Sequence, residues 1–501
     1  MRPVNFIADN EVTLLHTGTD YFPALIAAID AARYEVYFET YIFAGDDTGQ
    51  RVVAALVRAA QRGVQVRVIT DWWGTGRRQI NSMHEIFVAG GVEHRMFNPW
   101  FRRGITRTHR KICVVDRAVA YVGGININDD MFCDYDHSKA LSAPRWDFAV
   151  QVRGPLVAEI QLEAVTQWRR LGKLSIIKRI GLYRDMRKVE KIAAAHAVQA
   201  GFVVRDNLRN RRTIQRAYLQ ALGRARKSVL LANPYFAPGR KFRQALASAA
   251  QRGVEVTLLI GVGEIWLQDA VAHSFYPKLL AAGVKVVEYH KTQLHAKVAV
   301  IDDDWATVGS SNVDGLSLFL NQEANVVIKD AAFAQSLRRK IEEAVADGKV
   351  ITYDDFEHVG HVKRIGYEVA DGVRLDKWLW AARFFKTRSL ACDAVDRGRV
   401  IVNGDRAKPA RNVKVGDVLE IDNGADQWEV DVMGLSDVRG PAPVARNLYE
   451  ETDVSVARRA AVAENRRLYR EPGTTIKGRP TKRDARWTTL RISLLHCCCA
   501  A

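Results

Sequence analysis

Two stretches of this chain repeat each other about 190 residues apart, and this duplication restricts the fold more than any other feature. Residues 54–70 read AALVRAAQRGVQVRVIT and residues 244–260 read QALASAAQRGVEVTLLI, with the hexamer AAQRGV identical in both. Further along, THRKICVVDRAVAYVGGIN (108–126) corresponds to LHAKVAVIDDDWATVGSSN (294–312). Because the matches keep their order over such a long offset, they indicate a duplicated domain and not a short solenoid repeat.

Each copy alternates helical and strand-like segments. In the first copy, the helical patterns of 24–33 and 50–62 each precede a β-branched or aromatic run, at 34–43 and 64–70, and Gly63 ends the second helix. Such alternation is typical of layered α/β domains. We therefore predict an α/β fold in which two pseudo-symmetric domains, each with a largely parallel sheet, pack as a pair.

The composition is that of a globular protein with an excess of positive charge. Of 501 residues, 48% are hydrophobic, and 74 Lys and Arg against 57 Asp and Glu give a net charge of +17. These values exclude a mainly disordered or collagenous chain and favour polyanionic partners such as nucleic acid or an anionic membrane. The six cysteines form no CxxC pair or zinc-finger spacing, which indicates a reducing compartment. No stretch of about 18 apolar residues occurs, so we predict no transmembrane helix.

Each copy contains one H-x-K-x-x-x-x-D motif, and these motifs are the candidate catalytic residues. They comprise His109, Lys111 and Asp116 in the first copy and His295, Lys297 and Asp302 in the second. Positions i and i+2 of a strand share a face, so each His and its Lys should point into one site. The Asp falls at the strand end in a turn-like sequence, where anchoring the turn is a more natural role than chemistry.

Other residues of both copies are candidates for supporting contacts. Small and amide residues follow the return strand of each copy, and one carboxylate lies further on, which gives Asn126 and Asp147 in the first copy and Ser310, Asn312 and Glu323 in the second. The small and amide residues would let donors approach a bound anion. We expect each carboxylate to accept the second ring N–H of the histidine in its own copy, which fixes the tautomer.

With these motifs, residues 10–345 resemble the phospholipase D superfamily. The segments HTGTDYFPALIAAIDAARYEVYFETYIF (16–43) and RWDFAVQVRGPLVAEI (145–160) are most similar to its bacterial cardiolipin synthases. The resemblance implies that His109 attacks phosphorus to form a phosphohistidine and that His295 acts as acid and base, although the symmetric motifs would allow the reverse. It also implies that the lysines and asparagines hold the phosphate oxygens, so no metal or other cofactor is expected. The implied reaction is phosphatidyl transfer to phosphatidylglycerol; a phospholipase D-type phosphodiesterase is an alternative.

The resemblance also implies that the protein acts at the cytoplasmic side of the bacterial inner membrane. Many cardiolipin synthases carry two N-terminal spans that this chain lacks, so we expect peripheral binding to anionic phospholipid. Candidate docking segments are Trp100-Phe101-Arg102-Arg103 and the basic stretch 171–196, which would otherwise be an ordinary loop and a solvated connecting helix.

The chain changes character after residue 373. RLDKWLWAARFFKTRSLACDAVDRGRVIVNG (374–404) predicts two helices, the second capped by Thr387 or Ser389 and ended by Gly398, followed by a hairpin turn at Asn403-Gly404. A basic face on such a compact unit favours binding to a phosphate backbone, and seven of its cations are candidates: Arg374, Lys377, Arg383, Lys386, Arg388, Arg397 and Arg399.

This α+β unit resembles the S4 RNA-binding domain, and residues 374–486 resemble the heat shock protein 15 family in particular. That family implies binding to structured RNA of the large ribosomal subunit. An RNA-binding protein with accessory or inactive enzyme domains is therefore a second functional hypothesis.

The predicted organisation has six parts. They are a first phospholipase D-like domain (1–165), a basic linker helix (166–205), a second phospholipase D-like domain (206–350), a linker (351–373), the S4 domain (374–430) and a basic, partly disordered tail (431–501) that is helical near 446–470.

Overall fold

A computed structural model describes residues 4–101, 106–134, 139–172, 198–206, 210–314, 321–357, 373–413, 416–440, 442–446, 448–452 and 455–460. The chain forms two compact units, residues 1–367 and 368–501. In the described ranges no helix combines the length and the apolar character needed to span a bilayer. The proposed membrane segment 171–196 lies almost wholly outside the described residues.

The first copy alternates strands and helices as its sequence predicts. Its elements are β1 (Ile7–His16), α1 (Thr17–Asp30), β2 (Glu35–Thr40), α2 (Asp47–Gln61), β3 (Gln65–Asp71), α3 (Trp72–Thr75), α4 (Arg77–Ala89), β4 (Glu93–Phe97), a 3₁₀ turn (Pro99–Phe101), β5 (Ile112–Val115), β6 (Val119–Gly123), β7 (Phe148–Arg153) and α5 (Leu156–Leu171). Helix α2 begins where the Asp46 side chain accepts the Gly49 N–H, and Gly63 follows it at a φ of 91°.

The second copy repeats this order. Its elements are β8 (Val198–Arg205), α6 (Thr213–Arg224), β9 (Ser228–Asn233), β10 (Phe236–Ala237), α7 (Arg240–Gln251), β11 (Glu255–Gly261), α8 (Trp266–Ala281), β12 (Lys285–Tyr289), β13 (Val298–Ile301), β14 (Trp305–Gly309), β15 (Val313–Asp314), β16 (Glu323–Lys329), α9 (Ala331–Ala346), β17 (Lys349–Ile351) and α10 (Asp354–Glu357). Residues 198–205 were expected in a linker helix; they form β8 instead, because VQAGFVVR buries alternate side chains against β16.

One hydrogen-bonded sheet runs through both copies. Among the described residues it has 15 strands in the order β17-β12-β11-β9-β13-β14-β16-β8-β1-β7-β6-β5-β2-β3-β4. Strands β1 and β8 pair antiparallel where the copies meet. The expectation of a largely parallel sheet was wrong: in this sheet, as far as the structure describes it, β2-β3-β4 and β9-β11-β12 are parallel and the other neighbouring strands are antiparallel. The H-x-K strands are joined to their return strands by tight turns, and such connections produce antiparallel pairs.

The two halves of the sheet also pack against each other. Strands β6 and β7 contact β14 and β16, and side chains from both copies share one hydrophobic core. Val114 and Val150 of the first copy lie in this core with Val300 and Val326 of the second, and each is at most 1% exposed. The copies therefore form one body, and the H-x-K motifs lie immediately before two of its central strands, β5 and β13, where the sequence predicted them within strands.

The C-terminal unit has the predicted helix–helix–strand order. Its elements are β18 (Val373–Arg374), α11 (Leu375–Ala381), α12 (Arg388–Asp396), β19 (Val400–Val402), β20 (Asp405–Arg406), β21 (Asn412–Val413), β22 (Val418–Asp422), β23 (Gln427–Val432), α13 (Ala442–Arg446) and β24 (Tyr449–Glu451). Thr387 caps α12 by accepting the Leu390 N–H at 3.2 Å, and Asn403 and Gly404 have φ of 56° and 83°, as a tight hairpin requires.

The end of this unit differs from the prediction. The five-stranded sheet of this unit has the order β20-β19-β22-β23-β24, so it extends past residue 430, the predicted end of the domain. Tyr449–Glu451 is a strand where a helix was expected. Pairing with β23 and contact of Tyr449 with Phe384 outweigh the local helical pattern. Residues 461–501, which hold most of the predicted tail, lie outside the described residues.

Candidate functional site

The two motif histidines lie where the copies exchange backbone hydrogen bonds. The His109 N–H donates to the Gln322 carbonyl at 2.9 Å, and the His295 N–H donates to the Trp146 carbonyl at 3.0 Å. Both histidines are buried, at 8% and 5% exposure. The backbone of each motif histidine is therefore hydrogen-bonded to the residue that directly precedes Glu323 or Asp147 in the other copy.

This exchange pairs each histidine with the carboxylate of the opposite copy. His109 Nδ1 lies 3.1 Å from Glu323 Oε2, and His295 Nδ1 lies 2.6 Å from Asp147 Oδ2. The expectation that each carboxylate serves the histidine of its own copy was therefore wrong. Each motif segment lies beside the beginning of β7 or β16 in the other copy. Asp147 and Glu323 therefore each bond the histidine of the other copy and not that of their own.

The two carboxylates have different surroundings. Ser310 Oγ donates to Glu323 Oε2 at 2.5 Å, and the Ser310 carbonyl also lies 3.1 Å from His109 Nδ1. Asp147 accepts the N–H of Phe148 at 2.8 Å, and a Cβ on Gly124 would come within 2.3 Å of an Asp147 carboxylate oxygen. Glycine at position 124 is thus what lets Asp147 reach His295.

The two motif lysines are buried close enough to affect each other. Burial, with the charge of Lys297 as the second cause, lowers the pKa of Lys111 to about 7, and burial also lowers the pKa of Lys297. Burial likewise lowers the pKa of both histidines, that of His295 well below its ordinary value. Each lysine donates to the carbonyl of its own motif histidine, Lys111 at 2.9 Å. Binding of an anion here is electrostatically favourable, because its negative charge compensates two ammonium groups that lie close together.

The motif aspartates lie apart from this cluster. Asp116 accepts the backbone N–H groups of Arg33, Tyr34 and Glu35 at 2.7–2.9 Å, at the far end of β5 from Lys111. Asp302 accepts those of residues 226–228 in the same way. Their grouping with the catalytic residues is therefore not supported, and both anchor turns as their sequence context suggested.

The two predicted asparagines, Asn126 and Asn312, are buried. Asn126 Oδ1 accepts the Ile42 N–H at 3.4 Å. Asn312 Oδ1 is buried and has no hydrogen-bond partner within the part of the chain that the structure describes.

Four further polar residues belong to the site and were missed from the sequence. Asp134 Oδ2 lies 3.7 Å from His295 Nε2, and Arg145 and Asn128 hold Asp134 at 3.1 and 2.6 Å. Although burial raises it, the charges of Arg145 and His295 bring the pKa of Asp134 below its ordinary value. Glu264, which accepts from Tyr235 Oη at 3.3 Å, has its pKa raised to about 7 by burial. Arg145 directly precedes Trp146-Asp147, a position that could have signalled its role; Asp134 and Glu264 had no such signal.

The predicted RNA-binding cations divide into two groups. Arg374 and Arg388 both bind the buried Asp376, at 3.1 and 2.9 Å, and Lys377 binds Asp437 at 3.2 Å. Arg383 donates to the Gly440 carbonyl at 3.1 Å. These four are engaged within the unit.

The other three cations border one groove. Lys386, Arg397 and Arg399 line a concavity of about 370 Å³ together with Phe384, Phe385, Leu390, Asp393, Ala394, Asn423 and Ala425. Phe384 and Phe385 are buried, at 8% and 7% exposure, so the groove offers a nucleic acid three cations that can bind phosphates. We call this concavity the basic groove.

Family profiles match both units. A profile described as "Cardiolipin synthase, PLD-like domain" matches residues 25–152 and again 218–345, and an S4 domain profile matches 373–419. In the described ranges no three His, Cys, Asp or Glu side chains are grouped so that they could hold a metal ion.

Individual proteins are similar over the same regions. Cardiolipin synthase B of Escherichia coli strain K12 is 39% identical over 345 residues, which cover 67% of this chain and 81% of that protein. The crystal structure of phosphatidylserine synthase from Haemophilus influenzae Rd KW20 superposes with a TM-score of 0.56 at 15% identity over 73% of this chain and 93% of that one, a likeness of fold. Heat shock protein 15 of Vibrio cholerae is 47% identical over 19% of this chain and 98% of that one, with a TM-score of 0.19.

Proposed function

The chain belongs to the cardiolipin synthase family of phospholipase D-like proteins, and from this premise we propose that it joins two phospholipids through a covalent phosphohistidine. The enzyme is a phosphatidyltransferase of this family. The observation that carries the proposed mechanism is the crossed pair of histidines, each bonded at Nδ1 to a buried carboxylate of the opposite copy.

In the first step His109 Nε2 attacks the phosphorus of the donor lipid. The Nδ1 atom of His109 is occupied by Glu323 and the Ser310 carbonyl, which favours a proton on Nδ1 and leaves the Nε2 lone pair for the attack. The bond from phosphorus to the headgroup oxygen breaks as the bond from phosphorus to nitrogen forms.

His295 supplies and later removes the proton. It has a carboxylate on each side, Asp147 2.6 Å from Nδ1 and Asp134 3.7 Å from Nε2. Burial lowers the pKa of His295, and these two negative charges oppose that shift by stabilising the protonated ring that a general acid requires. His295 protonates the leaving headgroup alkoxide and then takes the proton of the incoming hydroxyl, which attacks the phosphohistidine and releases His109. This asymmetry supports His109 as the nucleophile and His295 as acid and base.

The lysines and asparagines meet the charge on phosphorus. Lys111 and Lys297 are buried and electrostatically unfavourable together, so a phosphodiester anion stabilises both charges when it binds. Asn126 and Asn312 would donate their side-chain Nδ2–H groups to the same phosphate oxygens.

The reaction is tested by giving the purified full chain phosphatidylglycerol vesicles and analysing the lipids. Transfer to the hydroxyl of a second phosphatidylglycerol yields cardiolipin and glycerol; hydrolysis would yield phosphatidic acid and glycerol. We expect cardiolipin as the main product, and expression in cells that lack cardiolipin should restore it. Phosphatidic acid alone would favour the phosphodiesterase alternative.

We further propose that the enzyme works at an anionic membrane surface on the cytoplasmic side. Its substrates would be bilayer lipids, and a net charge of +17 attracts the chain to phosphatidylglycerol-rich surfaces.

The C-terminal S4 domain supports a second function, the binding of structured RNA. An S4 domain implies RNA binding in general; we propose that the basic groove is the contact surface and that large-subunit ribosomal RNA is a partner. The groove contains the three predicted cations that are held neither in the described ion pairs nor in the described side-chain hydrogen bonds of the unit.

A charge-reversed variant tests the basic groove. Replacing Lys386, Arg397 and Arg399 with Glu should weaken binding of the full chain to a structured ribosomal RNA fragment and lower the slope of log affinity against log salt by about 2–3, since each lost phosphate contact removes about 0.7–0.9. Filter binding at several salt concentrations measures both. The control reverses three exposed cations of the first unit, Arg224, Lys241 and Lys285; an equal loss in this control would mean that only the net charge matters.

A further inference from the structure

Three tryptophans of the first copy gather at the end of strand β3, in a surface outside the catalytic cluster. Trp73 is 51% exposed and Trp100 is 56% exposed, and the rings of Trp72 and Trp100 lie 5.4 Å apart. Trp72 and Trp73 form the short helix α3, and Trp100 lies in the 3₁₀ turn after β4. Large aromatic side chains this exposed and this close together are unusual on a surface that meets only water.

Two arginines stack on these rings. The Arg77 guanidinium carbon lies 4.4 Å from the ring centre of Trp100, and that of Arg107 lies 5.0 Å from the ring centre of Trp73. Residues 72–84 contain Arg77 and Arg78 and no Asp or Glu, so the surface is both aromatic and positively charged. We call Trp72, Trp73, Trp100, Arg77 and Arg107 the Trp–Arg patch.

The patch is attached to the catalytic segment. Asp71 accepts the Trp73 N–H at 2.9 Å with one carboxylate oxygen and the Thr108 N–H at 2.8 Å with the other. Thr108 directly precedes His109. Arg107 also donates to Tyr41 Oη at 3.3 Å, and the Tyr41 ring lies 4.8 Å from the ring of His109. The patch therefore lies at the rim of the site, two hydrogen bonds from the nucleophile.

We propose that the Trp–Arg patch is the surface that docks the enzyme onto an anionic bilayer. Indole rings partition to the interface between headgroups and acyl chains, and guanidinium groups bind lipid phosphates in pairs of hydrogen bonds. A bilayer with anionic headgroups matches the aromatic and positively charged character of the patch. The inference rests on the proposed function for one point, that the site takes its lipids from a membrane, and docking here would bring lipid headgroups to the rim beside His109.

The first test measures binding and does not depend on catalysis. The full chain and its Trp73→Ala/Trp100→Ala variant are sedimented with vesicles of phosphatidylglycerol and phosphatidylcholine. We expect the variant to bind about tenfold more weakly or worse, since two interfacial anchors are lost. Tyr34→Ala is the matched control, because Tyr34 is 71% exposed and precedes β2, at the other end of that strand from Tyr41; this variant should bind like the unchanged chain.

The second test locates the contact. Vesicles containing brominated phosphatidylglycerol quench tryptophans that enter the interface. Quenching should be strong for the unchanged chain and clearly smaller for Trp73→Phe/Trp100→Phe, a variant that keeps aromatic anchors and so stays mostly bound. The difference in quenching between these two proteins is the part that comes from Trp73 and Trp100 and not from the other tryptophans of the chain.

The outcomes separate docking from catalysis. Unchanged vesicle binding by the alanine variant, or equal quenching in the phenylalanine variant, would overturn the patch as the docking surface, as would equal binding to vesicles of phosphatidylcholine alone. Normal patch-dependent binding without cardiolipin synthesis would leave the docking surface standing and count against the proposed reaction.

Discussion

Replacing His109 with Ala should lower phosphatidyl transfer by about 10³-fold or more while the protein stays folded, because loss of one member of a coupled catalytic pair removes most of its rate. No phosphatidyl adduct should form on this variant with any donor. The measurements are cardiolipin formation from phosphatidylglycerol and intact-protein mass after mixing with donor lipid.

His295→Ala should lose as much activity on phosphatidylglycerol but differ in one respect. With a p-nitrophenyl ester of phosphatidic acid, the leaving group needs no proton, so the first step no longer requires a general acid. This variant should release one equivalent of nitrophenol and accumulate phosphatidyl–His109, because the second step still lacks its base. The reversed pattern, with the adduct on His295 in His109→Ala, would exchange the two roles.

His290→Ala is the matched control for both variants. His290 lies five residues before His295 and its side chain is 54% exposed. It should retain normal transfer, and near-normal transfer in either motif variant would refute the two-histidine mechanism.

Much of this site could be predicted from local sequence. His109 and Lys111 are two positions apart next to a strand, and the same spacing at His295 and Lys297 within a duplicated domain indicates one shared site. The hairpin sequences around Asp116 and Asp302 likewise indicate their role as turn anchors. In each case the information lies within a few residues of the side chain concerned.

The pairing of histidines with carboxylates could not be predicted in this way. Glu323 bonds a histidine 214 positions away, and Asp147 bonds one 148 positions away. The two copies have nearly the same local pattern, so within-copy and crossed pairs are equally compatible with the sequence. The choice depends on how the halves of the sheet pack, which involves many contacts distributed along the chain. The antiparallel central strands were missed because the alternation of helices and strands in the first half of each copy dominates the sequence pattern.

The crossed arrangement predicts that each carboxylate variant copies the defect of the histidine in the other copy. Glu323→Gln keeps the shape but removes the charge that holds the Nδ1 proton of His109, and loss of such a charge costs up to about 10⁴-fold in the histidine–carboxylate pair of serine proteases. Formation of the covalent adduct should be slow with both phosphatidylglycerol and the nitrophenyl ester. Asp147→Asn should be slow with phosphatidylglycerol, yet form the adduct from the nitrophenyl ester at nearly the normal rate, because it impairs only the general acid.

Within-copy pairing would give the opposite assignment, with the nitrophenyl ester rescuing Glu323→Gln and not Asp147→Asn. The matched control is Glu288→Gln, since Glu288 also bonds a histidine, His273, at 2.6 Å, but on β12 outside the cluster. It should change transfer little with either donor. Rapid-quench measurement of adduct formation for the three variants, each with both donors, decides between the two pairings. The crossed bonds join the two copies. If the measured defects follow the crossed pairing, neither copy can form a working site without the other.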